Sequence, residues 1–250
     1  MAYEPKRLFV LGDTHGNLSW CKLMIEKALE EECDGILQLG DFGIWPKGDF
    51  VFQLNYQLDK AGLHLWFVDG NHEDFEQLLA IETDLGGKRT VASHITHLPR
   101  GHRWTWQGRK FLALGGAYSV DRPRRVKFVS WWPQETISFQ DVERCLLKPD
   151  PVDVMVCHDA PAGSPALGPV TAGDVDRFPE SYENRERVLQ VVEAVRPSLL
   201  LHGHYHRCYS HRLPVKDFTV RVEGFACDDD GGAWDILDLE SLTLKHKGKQ

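Results

Sequence analysis

Five short segments of this chain end in side chains that bind metal ions. They are Gly12-Asp13-Thr14-His15-Gly16, Gly40-Asp41, Gly70-Asn71-His72-Glu73, His158-Asp159 and Gly203-His204-Tyr205-His206. Together they offer carboxylate, imidazole and amide donors without thiolate, a set that suits Mn, Fe, Zn or Mg rather than a structural zinc cage. Asp-x-His and His-x-His put alternate side chains on one side of an extended segment, so both can reach one ion. A lone Gly-Asp is almost noise, and a lone histidine after a strand is usually a core residue. Five such segments in order, each closing an apolar run, form a pattern.

The elements needed to bring them together are legible around them. Arg7–Leu11, Gly35–Leu39 and His64–Val68 read as buried strands, with helices predicted over Leu18–Glu31 and residues 49–60. Strand, helix, strand, helix, strand is an α/β signature. The right-handed crossover makes the three strands parallel, with their carboxyl ends on one edge, where open α/β sheets bind ligands. Arg103–Trp106 and Lys110–Ala113 flank a hairpin turn. Val152–Cys157 and Ser198–His202 are two more buried strands, separated by a Pro/Gly-rich loop at 160–173 and a helix near 184–195. Period-two stretches at 209–213, 218–227, 234–239 and 242–246 read as antiparallel strands. No linker, repeat or low-complexity stretch interrupts the chain, so residues 1–250 read as a single domain of two sheets with helices outside them.

Composition narrows the function classes. With 250 residues, 42% hydrophobic and 26% charged, the chain excludes disorder, collagen and coiled coil. Its net charge of −8, from 29 basic and 37 acidic residues, argues against a protein that coats nucleic acid, and no obligate nucleic-acid partner is expected. No apolar run approaches the ~18 residues of a membrane span, and the N-terminus carries no secretory h-region. Six scattered cysteines without a CxxC pair read as reduced thiols. The expectation is a cytoplasmic protein, of a bacterium or of a phage-infected host.

The ordered set resembles the calcineurin-like metallophosphoesterases, in particular bacterial and phage-type phosphodiesterase members. Their pattern is Asp-x-His, Gly-Asp, Gly-Asn-His-Asp/Glu, His and Gly-His-x-His, matched here from residue 12 to residue 206. The resemblance implies a four-layer α/β/β/α sandwich of two mixed sheets, the metallophosphoesterase fold, and a site for two divalent metal ions, Mn foremost, with Fe, Zn or Mg as alternatives. Carried over position by position, Asp13, His15, Asp41 and His206 would hold one ion. Asp41 would bridge to the second, completed by Asn71, His158 and His204. His72 would be the catalytic imidazole, protonating the leaving group while a hydroxide between the ions attacks phosphorus.

One departure matters. Phosphoprotein phosphatases of this superfamily follow Gly-Asp with x-Val-Asp-Arg-Gly; here Ile44 stands where the second Asp would be, and the Arg is missing too. Glu73 and Asp74 are near His72 in sequence, but neighbours so close on a turn seldom face one another. Three guanidinium groups, Arg122, Arg124 and Arg125, could supply the phosphate contact, or form a solvated loop. Trp131 and Trp132 suit core packing better than base stacking. Asp159 and Tyr205, beside ligands, could orient them, and His202 could act behind them. His64, His94, His97, His102, His211 and His246 are read as surface or satisfied core histidines, Asp228-Asp229-Asp230 as an exposed turn, and Cys157 as a buried thiol.

The expected activity is hydrolysis of small or cyclic, nucleotide-like phosphodiesters. A DNA or RNA nuclease with the same chemistry is the alternative, and a catalytically weak scaffold on the same fold is the alternative of another class. Natural substrate and oligomeric state are not fixed by these residues.

Overall fold

The computed structural model describes residues 4–45, 47–167 and 178–246, so residues 168–173 of the predicted loop lie outside the described residues. Strands β1 (Arg7–Leu11), β2 (Gly35–Gln38) and β3 (Leu65–Phe67) alternate with helices α1 (Leu18–Glu30), α2 (Phe50–Ala61) and α3 (Phe75–Ala80). Four short strands follow: β4 (Arg89–Ala92), β5 (Ile95–His97), β6 (Arg103–Trp106) and β7 (Arg109–Leu114). Then come α4 (Phe139–Leu146), β8 (Val154–Cys157), α5 (Pro179–Val195) and β9 (Leu199–His202). The chain closes with β10 (Tyr209–Val215), β11 (Phe218–Gly224), β12 (Trp234–Asp238) and β13 (Thr243–Leu244).

The strands form two mixed sheets, ordered β13-β12-β1-β2-β3-β5-β4 and β10-β11-β9-β8-β7-β6. β1, β2 and β3 are parallel, as expected for strands joined by helical crossovers. Side chains that alternate along each strand build three apolar layers. Phe9 and Leu11 of β1 face Ile25 of α1 and Leu54 of α2. Leu8 and Val10 face Phe111, Val154 and Leu201 across the gap between the sheets. On the far side, Met155 and Leu200 pack against Val142 of α4 and Val188 and Val192 of α5. Helix, sheet, sheet, helix is therefore the layer order.

Several local expectations are corrected. β11 runs parallel to β9, although the period-two pattern of the last third reads as antiparallel throughout; alternation reports exposure, not direction. Helix α5 starts at Pro179, where proline fits the first turn. The sequence reading passed over α3, α4, β4 and β5, all of which are short. Among the described residues no helix is long and apolar enough to cross a membrane.

Candidate metal centre

The predicted ligands gather where the carboxyl ends of both sheets meet. Asp13, just past β1, is fully buried, and Asp41 and Asn71 are each only 2% exposed. His158, past β8, is buried; His204 is half-buried and His206 lies at the rim. Asp13, His15 and His206 offer donor atoms within 4.8 Å of one another, and so do Asp13, Asp41 and His158. Asp41 faces two ways: Oδ2 lies 3.7 Å from His15 Nε2, and Oδ1 lies 3.4 Å from His158 Nε2. Asn71 Oδ1 is 3.0 Å from His158 Nε2. The His204 ring sits 5.1 Å from that of His158, and the His204 backbone N–H donates to both oxygens of Asp13.

Backbone conformation sets these positions as much as side chains do. His15, Asp41, His204 and His206 have φ of 44°, 51°, 69° and 50°. A non-glycine residue in that left-handed region costs on the order of 1 kcal/mol, and such strain clusters at functional sites. Two glycines allow the close approach. At Gly40, φ is 98° and a Cβ would strike the His158 ring; at Gly203 it would strike the Asp13 carboxylate.

The electrostatics follow from two carboxylates buried side by side. For Asp41, burial favours the neutral acid, but His158 and His15 outweigh it and hold the carboxyl well below its usual range. Burial alone would lower His15 and His158. The Asp41 and Asp228 carboxylates instead raise His15 to about 9, and Asp41 with Asp13 raises His158 to about 10. Protonated on both nitrogens, His158 donates to the Leu39 carbonyl at 2.7 Å and to Asn71 Oδ1. Protons thus answer the negative charge as the chain stands. Divalent cations on the same carboxylates, imidazoles and amide oxygen would answer it with the histidines neutral, so the donor set fits the ions. His204, burial-dominated, is lowered to about 4 and is a ready neutral ligand.

His72 is half-buried at the cluster's edge. Burial lowers its pKa, with Asp41 opposing and Arg125 assisting. Its N–H donates to Asp41 Oδ1 at 2.8 Å. Neither neighbouring carboxylate supports its ring. Glu73 turns into the main chain and accepts from the N–H groups of Phe42, Gly43 and Ile44 at 2.6, 3.1 and 2.9 Å. Asp74 caps α3.

Asp228, read from sequence as part of an exposed turn, is corrected by the structure. Its Oδ1 accepts from His15 Nδ1 at 2.9 Å, and its Oδ2 accepts from Asn17 Nδ2 at 2.8 Å. Asn17 also caps α1 through Trp20 N–H. Asp228 therefore fixes which His15 nitrogen faces Asp41. Asp159 and Tyr205 bond one another at 2.8 Å, and His202 bonds Tyr209 and the Gly203 carbonyl.

The three arginines diverge. The Arg122 guanidinium covers the Trp131 ring at 4.1 Å, and Arg124 is exposed. Arg125 points inward: its Nη1 donates to Ser119 Oγ at 2.7 Å and its Nη2 to Glu135 Oε1 at 3.0 Å. Burial pushes Glu135 up to about 7 against the pull of Ser119 and Arg125. Ser119 and Glu135 escaped the sequence reading although their segment drew attention. Trp132 is buried, while Trp131 is partly open.

A family model described as calcineurin-like phosphoesterase matches residues 6–208. An uncharacterized protein of Haemophilus influenzae is 24% identical over 244 residues, covering 86% of this chain and 91% of that one. Among solved structures, TT1561 of Thermus thermophilus aligns with a TM-score of 0.61 at 14% identity, covering 96% of this chain and 97% of that one. A dimetal phosphatase from Danio rerio aligns at 0.54 and 14%, covering 94% and 93%. At such identities both structures speak to the fold.

Proposed function

This chain belongs to the calcineurin-like phosphoesterase family and is a phosphoester hydrolase, and from that premise we propose that it hydrolyses small or cyclic, nucleotide-like phosphodiesters in the cytoplasm with two divalent ions, Mn2+ foremost. The observation that carries the reading is the convergence of Asp13, His15, Asp41, Asn71, His158, His204 and His206 beside His72. In this reading Asp13, His15, Asp41 and His206 hold one ion, and Asp41, Asn71, His158 and His204 hold the other. The ions supply a Lewis acid for the phosphoryl oxygens and a water whose pKa approaches neutrality.

The chain's own residues do the rest. Asn71 contributes a neutral oxygen, which limits the negative charge met by an anionic ester. The His72 backbone N–H anchors this residue on Asp41, which sets its imidazole beside the cluster, in reach of a leaving oxygen in this reading. Burial lowers its pKa, which makes its protonated form a better proton donor than a free imidazolium. With Ile44 apolar and Glu73 engaged with the main chain, no carboxylate among the described residues bonds the His72 ring, which argues against a phosphoprotein-phosphatase site. Arg122 and Arg124 lie on the loop beside this edge and are the candidates for contact with the substrate phosphate.

The test is turnover of bis(p-nitrophenyl) phosphate with Mn2+, abolished by chelation and restored by Mn2+. His72→Ala keeps both ions and loses ~10²–10⁴ in rate on an alkyl leaving group but much less on nitrophenolate. Equal losses on both esters overturn the general-acid role. Undiminished turnover after chelation overturns the metal centre. Preferred cleavage of single-stranded DNA moves the reading to a nuclease, and bound ions without any turnover move it to a scaffold.

A further inference from the structure

We infer that Ser119, Arg125 and Glu135 are positioning residues for Asn71, fixing its amide so that the oxygen and not the nitrogen faces His158 and the second ion. The inference rests on the metal-centre reading above. Asn71 is buried, and an amide can present either end unless its surroundings choose. The choice here is made by donor and acceptor arithmetic. Asn71 Nδ2 lies 3.0 Å from Ser119 Oγ. That hydroxyl has one hydrogen and two lone pairs. Its hydrogen goes to Glu135 Oε2 at 2.6 Å, and one lone pair accepts from Arg125 Nη1 at 2.7 Å. Only a lone pair is left for Asn71, so Asn71 must donate.

Glu135 is held in the role of acceptor. Its Oε1 accepts from Arg125 Nη2 at 3.0 Å and from the Trp132 N–H at 3.1 Å. Arg125 Nε is tied to the Ser130 carbonyl at 2.6 Å, and its side chain is only 10% exposed. A guanidinium bound on three sides is a brace. The segment 115–135 thereby reaches the Asn71 side chain through the Ser119 hydroxyl and its carbonyl through Arg125 Nη2 at 3.4 Å, and Asn71 Oδ1 is left 3.0 Å from His158 Nε2, where both can serve one cation.

The experiment is calorimetric titration with Mn2+ at pH 8 of the wild type, Ser119→Ala, Glu135→Gln, Asn71→Ala and the Ser119→Ala/Asn71→Ala pair, with thermal melts to verify folding. Ser119→Ala is expected to weaken one Mn2+ by ~10–100-fold and leave the other unchanged. The double variant should bind as Asn71→Ala alone does, because no amide remains to orient. Glu135→Gln, which keeps the side-chain volume, should shift affinity in the same direction. Wild-type affinities in a folded Ser119→Ala or Glu135→Gln, or losses that multiply in the double variant, overturn the inference. A wild type that binds two Mn2+ but turns over no phosphodiester overturns the proposed activity and leaves this assignment standing. Fewer than two ions in the wild type overturns both.

Discussion

In the proposed centre, His15 and His158 carry protons that an arriving cation would displace. Each is raised by neighbouring carboxylates, to about 9 and about 10, so both are charged at pH 7.5. Metal ligation needs the neutral imidazole, so ion uptake would release protons, about two from this pair, and affinity should climb with pH towards about 10. Calorimetry in buffers of different ionisation enthalpy measures the release. Heats that do not depend on the buffer would remove these two histidines from the ligand set. The ligands were legible because polar, metal-binding types closed apolar runs. What orients them was not. Asp228 sits 213 positions from His15, and its acidic neighbours disguised it as solvent-facing. Asn71's support is hidden in the same way, in a hydroxyl 48 residues along the chain.

Elements differ in how openly the chain declares them. Long apolar runs announced β1, β2, β8 and β9, since a strand buried on both faces needs little else. Helix α4 buries only Asp141, Val142 and Cys145 among its eight residues, too few to show a period, although Ser138 and Asp141 form a capping box that marks its start. Strands β4 and β5 are joined by a bulge and carry a weak alternation. The turn at residues 42–44 is the element with the sharpest test. Its three N–H groups are satisfied by Glu73 alone among the described residues, and the turn follows directly on Asp41. Glu73→Ala leaves these buried donors unpaired and is expected to destabilise the fold by ~1–3 kcal/mol. A urea melt reads the loss, and an unchanged midpoint would mean that the turn is held by other contacts.

At the scale of the whole molecule, acid sensitivity has a defined source away from the metal centre. His64 and His102 are lowered from 6.5 to about 4, in both cases chiefly by burial and then by neighbouring positive charge. The unfolded chain takes up these protons below about 6.5, and the native chain only near 4. Their contribution is therefore fully present above 6.5 and is lost as pH falls through that window. The urea midpoint should drop between pH 6.5 and 4, and His64→Gln or His102→Gln should flatten the slope. A slope unchanged in both variants would take the effect away from His64 and His102 and assign it to other groups, such as His204, which burial also lowers to about 4.

The donors divide between the two sheets: Asp13, His15, Asp41 and Asn71 come from loops after β1, β2 and β3, and His158, His204 and His206 from loops after β8 and β9. Neither sheet by itself can furnish both coordination shells. In the proposed centre, holding either ion therefore requires that the two sheets be seated on one another, so ion binding would report their docking.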